Sequence, residues 1–378
     1  MKKTLPTPSL ALGLSFGILS TLSLGTLHAV NYTWDNTGTD WNTASNWNVG
    51  SGFPDGGGDL AIFSDAASVQ PNLSSSVLIA RMTANSSAAS GYVLTATGGA
   101  TLTLGTLGTG TGSAINYTPT AGSFQIDADV IFGTSTAGAT QTVNVNAANS
   151  AVYGNVILNG AVSTKETITI DKTGNGRLTL SNASNSWDGD IRVSGGTLAM
   201  SGAGVIGAGD LVMNGGTFDI SAISGASFTH SASLTGAGTV EGGGNTLNVN
   251  GLSVDGTMSL SDVTLTLSGT TTFDFSDPSL ALGTYDLVEG ADGSVVFGGL
   301  LDLNFSGGTY TNGTLVQIFD LEEYSGDFSS VSVSGLSDGQ SAVFDRITGN
   351  VSIIPEPQTF ALLFGGAALL LTLCARRM

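Results

Sequence analysis

The strongest constraint on this chain is a repeat. Ser194-Gly195-Gly196-Thr197-Leu198-Ala199-Met200 returns twenty residues later as Asn214-Gly215-Gly216-Thr217-Phe218-Asp219-Ile220. Looser echoes are Gly243-Gly244-Asn245-Thr246-Leu247-Asn248-Val249, Gly98-Gly99-Ala100-Thr101-Leu102-Thr103-Leu104 and Ser261-Asp262-Val263-Thr264-Leu265-Thr266-Leu267. A period near 20 residues fits one coil of a β-solenoid, in which the glycine pair turns the chain and the next residues enter a strand. In such a stack Leu198 lies over Phe218 inside, and the threonines form a hydrogen-bonded ladder outside. The looser copies are irregularly spaced, which leaves room for insertions or for a sandwich.

The rest of the body reads the same way. Thr142-Val143-Asn144-Val145, Thr167-Ile168-Thr169-Ile170 and Arg177-Leu178-Thr179-Leu180 alternate with period two between Gly, Asn, Ser and Asp. That pattern predicts many short strands, and no segment of the body carries a convincing amphipathic helix. Strands this short bury little alone and must stack. With 41% hydrophobic residues and a mean hydropathy of +0.26, the chain has the material for a core. The expected fold is all-β: a right-handed parallel β-helix through residues 120–268, with N- and C-terminal β caps.

Charge and side-chain inventory exclude whole classes of function. The net charge of −19 comes from 10 Lys and Arg against 29 Asp and Glu. Four of the bases, Lys2, Lys3, Arg376 and Arg377, sit at the two ends. Such a surface cannot neutralise a row of phosphates, so nucleic acid is not an expected partner. The lone cysteine, Cys374, and two histidines, His28 and His230, cannot supply the usual zinc ligands or a disulfide. No metal or cofactor is expected. A Ser-His-acid triad would have to use His230, and nothing around it resembles a nucleophile elbow.

Both ends read as targeting segments. Residues 1–29 combine Lys2-Lys3 with the apolar stretch Leu10–Leu19 and a close at Ala29, which fits a cleaved secretory signal peptide. An uncleaved N-terminal anchor is the alternative. At the other end, Ile353-Ile354-Pro355-Glu356-Pro357 leads into an uncharged run from Thr359 to Ala375, closed by Arg376-Arg377-Met378. As a helix this run of 17 residues rises about 25 Å, enough to span a thinner bilayer with the arginines held cytoplasmic.

The order Pro-Glu-Pro, apolar helix, basic cluster over residues 354–378 resembles the PEP-CTERM sorting signal of Gram-negative bacteria. The resemblance makes Pro355, Glu356, Pro357, Arg376 and Arg377 the sorting motif. It implies an exosortase-type membrane protease as processing partner and transient anchoring in the inner membrane. It also implies residence at the cell surface or in the extracellular matrix, with biofilm and extracellular polysaccharide.

A second resemblance covers residues 175–198. Asn175-Gly176-Arg177-Leu178-Thr179-Leu180-Ser181-Asn182-Ala183-Ser184-Asn185-Ser186-Trp187-Asp188-Gly189-Asp190-Ile191-Arg192-Val193-Ser194-Gly195-Gly196-Thr197-Leu198 is similar to the autotransporter-associated β-strand repeat. That family implies a parallel β-helix of bacterial surface passengers and assigns no catalytic residues. A full autotransporter ends in a membrane β-barrel; this chain ends in the apolar tail, so the repeat is expected to travel by another route.

Residues 30–119 hold Trp34, Trp41 and Trp47 and are expected to cap the open end of the solenoid, with sugar stacking by exposed Trp as the alternative. Residues 269–353 lose the Gly-Gly-Thr pattern, gain Phe and Tyr, and are expected to form a C-terminal cap or small sandwich.

The best local constellation for chemistry is Asp188, Asp190 and Arg192, with Asp171 and Lys172 close in sequence. A polysaccharide lyase or hydrolase needs acids converging on one face. Trp187-Asp188-Gly189-Asp190 falls where the repeat turns, and turn-forming aspartate explains it more simply. The expectation is therefore a non-enzymatic surface or matrix protein for structure or adhesion. The alternative is a carbohydrate-binding or carbohydrate-active protein on the same scaffold.

Overall fold

The computed structural model describes residues 29–64, 68–85, 91–105, 113–133, 137–147 and 154–356. Over these residues the fold is all-β apart from one short 3-10 turn, Ala44–Asn46. The strands pair in parallel with partners one circuit away. Leu60–Phe63, Asn72–Leu73 and Val77–Ile79 make three sides of a coil. The next circuit lays Arg81–Ala84 beside the first, Tyr92–Ala96 beside the second and Thr101–Leu104 beside the third. Ser113–Tyr117, Ser123–Ile126 and Asp129–Phe132 follow in the same order. Three parallel ladders therefore enclose one core, which is a β-solenoid.

Period-two sequence explains the burial. In Thr140–Val145 the residues Gln141, Val143 and Val145 are buried while Thr140, Thr142 and Asn144 are not. Each apolar side chain turned inward then meets its counterpart in the coils on either side. The 20-residue repeat falls into register as its sequence requires: Arg177 lies beside Thr197 and Thr197 beside Thr217. Leu178, Leu198, Phe218 and Val240 form one interior column, none more than 1% exposed. Fully burying each such side chain is worth roughly 1.5–3 kcal/mol.

The outer ladder holds the expected threonines together with amides and carboxylates. Thr197 and Thr217 are register neighbours, and the cross-coil hydrogen bonds run through Asn, Asp and Ser as well as through threonines such as Thr179, Thr95 and Thr264. Asn144 Nδ2 donates to Asn116 Oδ1 at 2.7 Å, and Thr173 Oγ1 donates to Asn144 Oδ1 at 3.2 Å. Further along, Asn304 Nδ2 donates to Asp274 Oδ1, and Ser334 Oγ donates to Asn304 Oδ1. An amide carries both donor and acceptor on a side chain long enough to bridge the ~4.8 Å between strands.

The parallel ladder extends past residues 120–268 in both directions. It begins at Asn31–Thr33, which pairs with Leu60–Phe63. It continues through Thr270–Phe275 and Leu300–Phe305 to Ser330–Ser334. Coils outside the repeat need no Gly-Gly-Thr motif because backbone groups make the pairing; their longer circuits are taken up in the connections.

Trp34, Trp41 and Trp47 close the N-terminal end. They are 0%, 0% and 1% exposed and pack edge to face, with ring centroids 5.1 Å apart for Trp34–Trp47 and 4.8 Å for Trp41–Trp47. Each indole N–H donates to a carbonyl, of Val69, Pro54 and Trp41 respectively. Rings sealed this way present no face for a sugar. At the other end the direction changes: Leu315–Gln317 and Gln340–Asp345 flank Asn350–Pro355 in an antiparallel sheet. Its inner face, Val316, Ala342, Val351 and Ile353, is buried on the core.

Candidate functional site

The aspartates singled out in sequence sit at a turn. Asp188 is exposed, Gly189 is buried and Asp190 is half-buried. A Cβ at Gly189 would run into the carbonyl of Ile168 in the preceding coil, so only glycine passes here. Asp190 Oδ1 accepts the N–H of Asp210 at 3.0 Å, and Asp210 Oδ1 accepts the N–H of Ser233 at 3.0 Å. One carboxylate per coil thus satisfies a backbone donor of the next. Arg192 stands in register between Asp171 and Val212 and makes no ion pair with Asp188 or Asp190. Asp171 instead accepts a 2.7 Å hydrogen bond from Ser194 Oγ.

Lys172 is not on that surface. Strand alternation turns it inward with Ile170, and it is 0% exposed between Val143 and Val193 of the adjoining coils. Its ammonium donates to the carbonyls of Thr173, Gly174 and Gly195 at 2.8, 3.1 and 3.0 Å. All three donors of the amine are used, on turns of two successive coils. Burial lowers its pKa to about 8, against a smaller opposing effect of Asp171. The signal was present in the sequence: in Thr169–Thr173 the inward positions are Ile170 and Lys172.

His230 is a buried strand residue, 2% exposed, and its Nε2 has no hydrogen-bond partner. Burial pushes its pKa below the usual value, so the ring is neutral at pH 7, despite Asp210 and the backbone of Ser233 acting the other way. Among the described residues no group of three or more His, Cys, Asp or Glu is placed to hold a metal ion.

Asp286 is another buried charge that sequence reasoning passed over. Its two oxygens accept the N–H groups of Gly256 at 2.9 Å and Asp274 at 2.7 Å. Burial raises its pKa to about 6, with Asp274 and Asp255 adding to the rise and the two N–H donors opposing it. Among the described residues, clefts with charged linings include two. One of about 300 Å³ is lined by Thr164, Lys165, Glu166, Thr167, Ser186, Trp187 and Asp188. The other, of about 400 Å³, includes Glu289, Asp320 and Glu322.

Of the sorting motif, the structure places Pro355 and Glu356. Pro355 ends the last strand opposite Gln340, a position where its missing N–H costs no ladder bond beyond the strand end. Glu356 N donates to Gly339 O at 2.8 Å. Pro357, Arg376, Arg377 and the apolar run lie outside the described residues, as does the leader over residues 1–28. Among the described residues no helix is long and apolar enough to cross a membrane.

A family model described as passenger-associated-transport-repeat matches residues 170–200. The match spans the buried Lys172, the turn aspartates and the first Gly-Gly-Thr copy. Curated proteins gave no match to the chain, and neither did solved structures.

Proposed function

We propose that this chain is an exported, non-enzymatic structural or adhesion protein of the cell surface or extracellular matrix of a Gram-negative bacterium. The observation that carries this reading is the passenger-type repeat at residues 170–200, seated inside a parallel ladder that runs from Asn31 to Ser334. Repeats of that kind belong to exported surface passengers, and a rigid rod of stacked coils presents an extended, acidic flank to its surroundings. The rod is a right-handed β-helix.

Delivery uses the two ends. The leader takes the body across the inner membrane, and the apolar run Thr359–Ala375 pauses it there with Arg376-Arg377 cytoplasmic, since moving two guanidinium groups through hydrocarbon is costly. Pro355-Glu356-Pro357 then stands at the outer boundary, where an exosortase-type protease cuts. The released body associates with extracellular polysaccharide.

Support for a structural rather than catalytic role comes from what the acids do. Asp190 and Asp210 each hold a backbone N–H, and Lys172 is committed to three carbonyls. Mass spectrometry of the mature surface protein tests the sorting reading: peptides from residues 360–378 should be missing, and their recovery would reduce the tail to a plain anchor. The catalytic question has its own test, the combined substitution Asp188→Asn, Asp190→Asn and His230→Gln. If the folded variant loses a glycan-cleaving activity present in the parent, the protein is an enzyme.

A further inference from the structure

We propose that the outer face of the C-terminal antiparallel sheet is a membrane-contact surface, which lies flat on a zwitterionic lipid interface while the tail is embedded. This rests on the reading of residues 359–375 as a membrane anchor. The large apolar side chains left exposed among the described residues are Val49, Leu282, Leu315, Val331, Val343 and Ile347. Four of these six fall between residues 315 and 347, at one end of the rod. Scattered exposed apolar residues need no explanation, but a cluster does.

Sheet register puts Leu315 and Val343 on one face of the antiparallel sheet, while Val331 lies on the neighbouring parallel strand Ser330–Ser334. Leu315 and Val343 stand on either side of Ser352 in a single cross-strand row, and they are 60% and 49% exposed. Ile354, two residues along from Ser352, shares that face and is half-exposed. Ile347, 74% exposed, tips the turn that joins the last two strands. Val316, Ala342, Val351 and Ile353 point the other way, into the core. The outer face therefore carries apolar side chains from the chain exit beside Pro355 to the turn at the far end of the sheet, with Ser341, Ser352, Asn350, Gln317 and Asp345 set between them.

Where the chain leaves this sheet identifies the occupant. Glu356 is bonded to Gly339, and the uncharged run starts only three residues later at Thr359. Three residues span at most about 10 Å, so a tail in the bilayer holds this sheet at its surface. Tethering also removes the need for strong contact. A few exposed side chains would not hold a free protein on lipid, but a surface already confined there meets it at high effective concentration. The charges near the face are the acids Asp338, Asp345 and Glu356 and one base, Arg346, which is paired with Asp327; the acidic excess favours a neutral interface over an anionic one. Asp345 is already occupied, accepting from the backbone of Ile347 and the hydroxyl of Thr348.

The test uses the full chain carrying Cys374→Ser, reconstituted into phosphatidylcholine–phosphatidylethanolamine vesicles containing brominated lipid. Single cysteines at Val343→Cys, Ile347→Cys and, at the opposite end of the rod, Val49→Cys carry an environment-sensitive fluorophore. Lipid quenching at positions 343 and 347 should exceed that at 49 by about threefold. In the 343-labelled chain, Leu315→Asp with Ile347→Asp should bring quenching down to the level at 49 while the protein stays with the vesicles. Equal quenching at all three sites in vesicle-bound protein overturns the proposal, as does quenching that survives the Asp substitutions. Self-quenching between labels at 343 that rises with protein density, without lipid quenching, would assign the face to a second copy. Protein that fails to stay with the vesicles would overturn the anchor reading and this one together.

Discussion

The guanidinium of Arg177 meets the carboxylate of Asp219 at 2.6 Å, although their segments are two coil steps apart in the ladder. Ala199 is the register neighbour between Thr179 and Asp219 and is 0% exposed. The Arg177 side chain, 34% exposed, lies along this column as a strut across three coils. Asp219 also accepts the N–H of Ser221. Burial acts to raise its pKa, but the bonds from Ser221 and Arg177 outweigh it and keep the carboxyl below its usual range.

Removing one partner of this pair should cost more than the pair is worth. Arg177→Ala leaves the Asp219 carboxylate, 4% exposed, without its counter-charge, for an expected loss of about 3 kcal/mol; Asp219→Ala leaves a guanidinium that water already reaches and should lose less. Thermal unfolding of the single and double variants checks this. Additive losses would show that the two residues act independently.

Lys172 offers a pH test whose sign is fixed. Its folded pKa, about 8, is below the unfolded value of 10.5. Between those values the unfolded chain holds the extra proton, so stability should rise as pH climbs from 8 to 10.5. Lys172→Met should lack that rise. Lys172→Ala should be the worse variant at every pH, because it adds a cavity to three orphaned carbonyls. Chemical denaturation at pH 7.5 and pH 10 separates the two effects.

Asp286 should respond in the opposite sense. Its folded pKa of about 6 lies above the ordinary carboxyl value of 3.8, so the folded state prefers the neutral carboxyl. Stability from this group should grow as pH falls from above 6 toward 4. Other carboxylates titrate too, so the measurement is the difference between the parent and Asp286→Asn across that range. A difference that stays flat with pH would rule this out.

His230 carries a buried nitrogen with no partner. His230→Leu removes that atom and should leave the melting temperature unchanged or raise it, by the equivalent of about 1 kcal/mol. A marked drop would mean that the bond between the ring and the backbone of Ser233 outweighs the cost of the unpartnered nitrogen.

The column Leu198–Phe218 was legible because two signals coincide there: a repeat that fixes register and an alternation that fixes direction. Asp188 and Asp190 were legible as turn residues for the same reason. Lys172 was missed although its alternation was plain, since a lysine is ordinarily assigned to the surface. The first and last coils were harder to read because backbone pairing leaves no residue signature where connections vary in length. Asp286 depends on Gly256 and Asp274, brought beside it only by the fold.

The sealed N-terminal end gives the rod a direction in time as well as in space. Three indoles close one end with their donors already satisfied, and each later coil rests on the one before it. A chain that folds from its N-terminus can therefore crystallise onto its own plug, turn by turn. Only the newest coil then offers a bare edge to neighbours, and the antiparallel sheet at residues 315–355 arrives last to shut the growth front.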